Sequence, residues 1–131
     1  MKFKDTHYGD LTGQTYEGDI DVDNMGLTSL EGAPKKVIGS FTCSQNKLKT
    51  LEHGPEIVEK DFRCSYSGLI SLKGAPKKVG KIFDCSENSL TTLEGGPEYV
   101  GDDYFCDNNE LVSLKGAPKI IGDPFNVFNL L

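Results

Sequence analysis

The sequence of 131 residues lacks the features that mark most membrane proteins and nucleic-acid-binding proteins. It contains no tryptophan and only two histidines, and no apolar run approaches the roughly 18 residues of a membrane-spanning helix. The first ten residues, MKFKDTHYGD, lack the apolar stretch of a signal peptide, so we expect a cytoplasmic location. Basic residues are in deficit, since 14 Lys and Arg stand against 20 Asp and Glu and the formal net charge is −6. This charge disfavours non-specific binding to nucleic acid or to an anionic membrane.

The motifs of the common catalytic classes are also missing. The sequence contains no G-x-S-x-G, no phosphate-binding P-loop and no H-E-x-x-H. Neither His7 nor His53 is paired with a nucleophile, and His53 is more simply a variant of a loop glycine. An active site needs one asymmetric set of side chains, whereas the polar residues of this chain recur at regular intervals. We therefore predict that the protein is not an enzyme and needs no cofactor.

The four cysteines are evenly spaced, which argues against metal binding. They follow one another at intervals of 21 residues, unlike the C-x-x-C pairs of zinc sites. Side chains stacked in a line cannot converge on one ion, and neighbouring parallel strands point them the same way rather than towards each other. We interpret them as small apolar residues of the core and predict no metal site. They are Cys43, Cys64, Cys85 and Cys106.

In place of motifs, the sequence has a repeat of 21 residues that continues without insertions. An aromatic or apolar residue recurs at this interval, followed by columns of cysteine, two leucines, proline and valine. A self-similarity of this kind predicts a solenoid, because each repeat buries its apolar face only against its neighbours. We predict one domain, 1–131, with an amino-terminal cap (1–15) and about five repeats (16–131). The aromatic column is Ile20, Phe41, Phe62, Phe83, Tyr104 and Phe125.

Each repeat predicts a short strand and a loop. Its pattern is F-x-C-S-x-N-x-L-x-x-L-x-x-x-P-x-x-V, in which the F-x-C alternation is typical of a strand with one buried face. Proline in the following segment is incompatible with a helix or a central strand. The sequence therefore predicts a solenoid of short parallel strands and loops, with one parallel sheet and few or no helices.

The same repeat resembles the leucine-rich repeat. The run Phe41-x-Cys43-x-x-Asn46-x-Leu48-x-x-Leu51 is similar to the family's core L-x-L-x-x-N-x-L-x-x-L. The short period and the proline after the second leucine resemble the bacterial subclass found in secreted effectors and in small phage-encoded proteins. The resemblance implies a single right-handed superhelix, classed as α/β by family, that binds partners through the outward face of its sheet.

Two departures from the family pattern carry expectations about local structure. The valine that precedes each aromatic residue lies four positions before it rather than three. The asparagine of the pattern is Met25 in the first repeat and Ser67 in the third. The resemblance implies that Asn46, Asn88 and Asn109 bond to the backbone of the adjacent turn. It also implies a looser turn at Ser67.

The outward strand positions concentrate the charge of the chain. They hold seven aspartates and one arginine, a net charge of −6, so the remaining 13 acidic and 13 basic residues cancel. A face of one sign attracts a basic partner, and exposed aromatic residues serve as anchors within an interface. We predict that the partner-binding residues are Asp19, Asp21, Asp23, Asp61, Arg63, Tyr66, Asp84, Asp103, Phe105 and Asp107.

Two other interpretations of these aspartates remain open. An exposed parallel sheet needs charge for solubility, although that need favours mixed signs. Calcium binding by Asp19, Asp21 and Asp23 lacks the glycine-rich loops and the bidentate glutamate that are typical of such sites.

We expect a protein partner, and no direct binding to nucleic acid or membrane. The leading hypothesis is a module that binds, and thereby inhibits, a basic or nucleic-acid-handling host protein, and the resemblance to phage proteins suggests counter-defence. The alternative is a structural protein that self-assembles through its carboxy-terminal strand edge, forming a weak homodimer. The residues predicted for that contact are Phe125, Phe128, Leu130 and Leu131.

Overall fold

The repeat folds as a parallel β-solenoid with a period of 21 residues. The computed structural model describes residues 1–121, which contain eleven short strands and a single turn of 3-10 helix, Phe3–Asp5. Each repeat forms one coil with two strands, so the predicted solenoid with few helices is confirmed. The described residues build four complete coils and the start of a fifth, namely 20–40, 41–61, 62–82, 83–103 and 104–121.

The strands form two separate parallel sheets. We call the six-stranded one the valine sheet and the five-stranded one the aromatic sheet, after their buried residues. In both, a residue pairs with the residue 21 positions later, as Phe41 does with Phe62. The valine sheet comprises β1 (Thr15–Glu17), β3 (Lys36–Ile38), β5 (Ile57–Val58), β7 (Lys78–Val79), β9 (Tyr99–Val100) and β11 (Ile120–Ile121). The aromatic sheet comprises β2 (Ile20–Asp21), β4 (Phe41–Thr42), β6 (Phe62–Arg63), β8 (Phe83–Asp84) and β10 (Tyr104–Phe105).

The second sheet corrects the prediction of one parallel sheet. Val37 is fully buried between the half-buried Lys36 and the exposed Ile38, so the segment around each valine also alternates inward and outward. The sequence showed this valine only as a departure in spacing from the leucine-rich pattern. The valine lies four positions before the aromatic residue, rather than the three of the leucine-rich pattern. This interval leaves room for a corner in the chain, and each coil has one strand before the corner and one after it.

Stacked aromatic rings run along the core of the aromatic sheet. The rings of Phe41, Phe62 and Phe83 are fully buried, with successive centroids 5.5 and 5.8 Å apart. Tyr104 extends the stack at one end, at 5.0 Å, and Phe3 extends it at the other end, at 6.0 Å from Phe41. The amino-terminal segment therefore supplies a ring where the first repeat carries an isoleucine.

The asparagine column bonds adjacent coils to each other. The Oδ1 atom of Asn46 accepts hydrogen bonds from the backbone N–H groups of Met25 (3.1 Å) and Leu27 (2.9 Å) in the preceding coil. Its Nδ2 group donates to the carbonyl oxygens of Val22 (2.9 Å) and Cys43 (3.1 Å). Asn46 is buried, so its amide group satisfies backbone groups that water does not reach.

The expected looser turn at Ser67 is not found. Ser67 is fully buried, and its hydroxyl group donates a hydrogen bond to the carbonyl oxygen of Cys43 (2.8 Å). The backbone N–H of Leu48, whose equivalents in other coils donate to an asparagine side chain, donates to the backbone carbonyl of Ser67 at 2.9 Å. The backbone oxygen thus replaces the missing amide oxygen, and the turn stays closed.

Across residues 1–121, the structure has no helix with the length and apolar character needed to cross a bilayer.

Candidate binding face

The strands of the aromatic sheet place the predicted binding residues on one surface. In each strand the aromatic residue, or Ile20 in β2, is buried, so the next residue points outward. The cysteine after that, or Val22 in the first coil, points inward again. We call the outward surface the acidic face. Of its residues all but Ser86 are exposed or half-buried, and Tyr66 adjoins it at the end of β6. The acidic face comprises Asp19, Asp21, Asp23, Ser40, Thr42, Ser44, Asp61, Arg63, Ser65, Ile82, Asp84, Ser86, Asp103, Phe105 and Asp107.

The negative charge of the acidic face is partly neutralised at its centre. The guanidinium group of Arg63 lies 3.6 Å from Oδ2 of Asp61 and 3.4 Å from Oδ2 of Asp84. All three side chains are partly shielded from solvent, at 38, 26 and 16% exposure. Arg63 therefore reduces the net charge at the centre of the face to −1, whereas the strand segment 19–23 carries three aspartates and no basic residue.

Two aspartates at equivalent positions of the acidic face, before the buried residue of their strand, also bond adjacent coils together. Oδ1 of Asp19 accepts a hydrogen bond from the backbone N–H of Ser40 (2.8 Å), and Oδ1 of Asp61 accepts one from Ile82 (3.0 Å). Each carboxylate thus satisfies an amide 21 residues further along the chain. Sequence reasoning missed this structural role. The signal in the sequence was that aspartate recurs at the position of Asp19 in every second repeat. This recurrence matches the spacing of the two hydrogen bonds.

The segment 19–23 presents carboxylate oxygens that have no partner in residues 1–121. Oδ1 of Asp21 accepts from the N–H of Asp23 (3.0 Å), and Oδ1 of Asp23 accepts from the N–H of Ser44 (2.7 Å). Among the described residues, no donor contacts Oδ2 of Asp19, Asp21 or Asp23. Hydrogen bonds through Oδ1 orient these carboxylates, while Oδ2 remains available to a lysine or arginine of another molecule.

Tyr66 combines an exposed ring with an unfavourable backbone conformation. Its φ angle is 52°, in the left-handed region, and the residue is 57% exposed. The residue at this position has a left-handed backbone conformation in every described coil. In the other coils it is Asn24, Gln45, Glu87 or Asn108. Asparagine tolerates this region well, but a bulky residue there is rare. The left-handed conformation of this solvent-exposed tyrosine disfavours the folded state, and such strained residues are frequent at binding sites.

Replacement of Tyr66 by asparagine is expected to stabilise the protein. The substitution keeps the left-handed turn and removes a residue that fits it poorly, so the free energy of unfolding should rise by about 1 kcal/mol. Urea denaturation followed by circular dichroism measures the change. The reverse exchange, Asn24→Tyr, should lower stability by a similar amount, and a fall in stability on Tyr66→Asn would contradict the assignment of strain.

The cysteine column lies in the core and is chemically protected. All four cysteines are free and fully buried, and burial raises the pKa of each thiol. The pKa of Cys106 rises to about 11, with a further contribution from the nearby Asp107 carboxylate. Within residues 1–121, no group of three or more His, Cys, Asp or Glu side chains is arranged to hold a metal ion.

We expect all four thiols of the folded protein to resist Ellman's reagent at pH 8. Because the thiolate is the reacting form, a buried thiol with a raised pKa reacts slowly, and unfolding in guanidinium chloride should release four reactive groups. The raised pKa also means that the folded state holds these protons more tightly. The thiols therefore favour folding below pH 9, and this contribution falls as the pH rises towards 11. Rapid labelling of the native protein at pH 8 would contradict the burial of the column.

The residues predicted for self-association, Phe125, Phe128, Leu130 and Leu131, lie outside the described residues.

Comparisons of this chain with protein-family models, with curated proteins and with solved structures found no match.

Proposed function

We propose that the protein is a non-enzymatic binding protein whose acidic face holds a basic protein partner. The main support is the distribution of charge. The charges of the seven aspartates and one arginine of the acidic face sum to −6, which is the net charge of the whole chain. The charges of all the other residues cancel. A surface of one sign on a rigid sheet attracts an oppositely charged partner and accelerates association with it.

Solubility alone accounts poorly for this distribution. Charges that only keep a sheet soluble need no common sign, and like charges on neighbouring strands cost stability. Asp21 and Asp23 lie on the same strand segment as Asp19, and no basic side chain among residues 1–121 forms an ion pair with any of them. Three adjacent carboxylates without a cation favour a partner that supplies one.

The apolar residues beside the charges provide the anchors that such an interface needs. Phe105 lies half-buried between Asp103 and Asp107, and the exposed ring of Tyr66 adjoins Ser65. Aromatic residues at interfaces contribute large contact areas and are frequent among the energetically dominant residues. Lysine or arginine side chains of a partner can pair with the carboxylates of Asp19, Asp21 and Asp23 while apolar groups contact these rings.

We further propose that the solenoid is of the leucine-rich-repeat type and that binding inhibits its partner. Support for the type comes from the buried leucine columns and from the bonds that Asn46 and Asn88 make to the preceding coil. A partner that handles nucleic acid uses basic residues for the phosphate backbone, and the acidic face would occupy those residues. The resemblance to small phage-encoded repeats makes counter-defence the context in which we place this inhibition.

The test neutralises the aspartates without removing their structural hydrogen bonds. The triple variant Asp19→Asn, Asp21→Asn and Asp23→Asn keeps the Oδ1 acceptors, so its thermal stability should stay close to that of the wild type. Capture of the partner from native host extract, quantified by mass spectrometry, should fall about tenfold. Capture by the wild type should also weaken between about 50 and 500 mM salt, because exposed charges are screened.

A matched control removes the same charge from another part of the surface. Glu56, Glu98 and Glu110 are exposed and form no ion pair within residues 1–121. Their triple replacement by glutamine should leave capture unchanged. Equal capture by the aspartate variant and the wild type, or capture that does not respond to salt, would refute the proposed role of the acidic face.

A further inference from the structure

A groove on the valine sheet carries charge of the opposite sign to the acidic face. It has a volume of about 530 Å³, which lies within the usual range of ligand sites. It crosses four neighbouring strands, β3, β5, β7 and β9, whose outward residues alternate between lysine and an apolar or aromatic residue. We call it the lysine groove, after Lys36, Lys60, Lys78 and Lys81. Ile57, Tyr99 and one carboxylate, that of Glu59, also line it, so its net charge is +3.

The hollow of the lysine groove is enforced by the backbone. A Cβ atom on Gly80 would lie 1.9 Å from the carbonyl oxygen of Glu59 in the preceding coil, so no side chain fits at this position. Beside it, Ile57 and Tyr99 are both only half-buried and expose apolar surface to the groove. The groove thus combines an apolar floor with charged walls.

The lysines of the groove are incompletely neutralised. Lys60 and Lys81 occupy equivalent positions in adjacent coils, joined by a backbone hydrogen bond of 3.1 Å, so two like charges are neighbours. In the part of the chain that the structure describes, no carboxylate pairs with Lys60, Lys78 or Lys81. Lys36 lies 3.7 Å from Glu59, and Lys78 lies 5.4 Å from the centre of the Tyr99 ring. Neighbouring like charges without a counter-charge are unfavourable, and an anionic ligand would relieve them.

We propose that the lysine groove binds an acidic peptide segment of a partner protein. Carboxylates of the peptide would lie between the lysine walls, and an apolar side chain would contact Ile57 and Tyr99. A single strand of nucleic acid fits less well, because such sites stack successive bases on several aromatic residues and this groove offers one. The lysine ammonium group also binds as a point charge, which suits single carboxylates. The groove lies on the other sheet from the acidic face, so this inference does not depend on the proposed function.

The test uses defined probes and a charge-reversal variant of the full-length protein. The probe is a fluorescein-labelled synthetic peptide of about ten residues that repeats Glu-Glu-Leu, and fluorescence anisotropy measures its binding. The double variant Lys60→Glu and Lys81→Glu should weaken binding about tenfold or more. The matched control is Lys47→Glu and Lys49→Glu, two exposed lysines outside the groove that form no ion pair within residues 1–121. It changes the net charge equally and should bind as the wild type does.

Several outcomes would overturn the proposal. Wild-type protein that fails to bind the peptide, or that binds a Gln-Gln-Leu peptide equally well, would show that the groove does not select acidic segments. An equal loss of peptide affinity in both double variants would show that binding depends on the net charge of the protein and not on the groove. Tighter binding of oligothymidylate than of the peptide, abolished by Lys60→Glu and Lys81→Glu, would make the groove a nucleic-acid site. A wild-type dimer in sedimentation that this variant dissociates would make a second copy the occupant.

Discussion

Replacement of Phe62 by alanine is expected to lower the free energy of unfolding by about 4 kcal/mol. Phe62 is fully buried at the centre of the aromatic stack, with the rings of Phe41 at 5.5 Å and Phe83 at 5.8 Å. The substitution removes the apolar surface of the ring and both of its ring contacts. Backbone hydrogen bonds between adjacent coils limit how far the cavity can collapse, because the coils are joined at a spacing of about 4.8 Å.

The effect should depend on the volume removed and on the position along the solenoid. Phe62→Leu fills most of the cavity and should cost about 1.5 kcal/mol. Phe3→Ala removes a ring at the end of the stack, where only one coil is disturbed, and should cost less than Phe62→Ala. Urea denaturation followed by far-ultraviolet circular dichroism measures all three variants. Equal losses for Phe62→Ala and Phe3→Ala would refute the argument from position.

Asn46→Ala is expected to lower the free energy of unfolding by about 3 kcal/mol. The variant leaves the N–H groups of Met25 and Leu27 without their acceptor. It also leaves the carbonyl oxygen of Val22 without a donor and removes one of the two side-chain donors to the carbonyl oxygen of Cys43, the other being Ser67. These groups lie in the turn between the buried strand residues and the buried leucines. A polar group there that loses its hydrogen-bond partner is still removed from water, so its desolvation penalty is no longer compensated.

Serine at this position should restore part of the loss. Ser67 occupies the equivalent site in the next coil, where its hydroxyl group bonds to the carbonyl oxygen of Cys43. Asn46→Ser should therefore lie between the wild type and Asn46→Ala in stability. Hydrogen exchange of the Leu27 amide should accelerate in the alanine variant, and an unchanged rate would show that the asparagine does not protect it.

The sequence predicted much of the architecture because the repeat specifies it several times over. Every described repeat agrees on which residues point inward, so Phe41, Cys43 and Leu51 could each be assigned to the core from alternation alone. The bonds of Asn46 to the adjacent coil were implied by the leucine-rich resemblance. The number of sheets does not follow from the sequence, because the repeat pattern predicts one strand in each repeat, whereas Val37 is the centre of a second strand.

The sequence predicted one of the two candidate surfaces, the acidic face, and did not predict the other, the lysine groove. The residues of the acidic face follow from strand alternation, so the sequence alone specifies them. The double role of Asp19 and Asp61 could not, because it depends on the position of a carboxylate relative to an amide in the next coil. The sequence does not predict the lysine groove either, because its repeat pattern places Lys60 and Lys78 in segments that are expected to be loops.

By itself the sequence determined the 21-residue period, the inward columns and the charge of the outward strand positions. These properties depend only on alternation along a strand and on stacking of identical units, which residue order specifies directly. Tertiary structure decided that each coil has a second strand, that Ser67 closes its turn through a backbone oxygen, and that a hollow at Gly80 lies among lysines. Those features arise from distances between coils, because residues 21 positions apart meet only after the chain has folded back on itself.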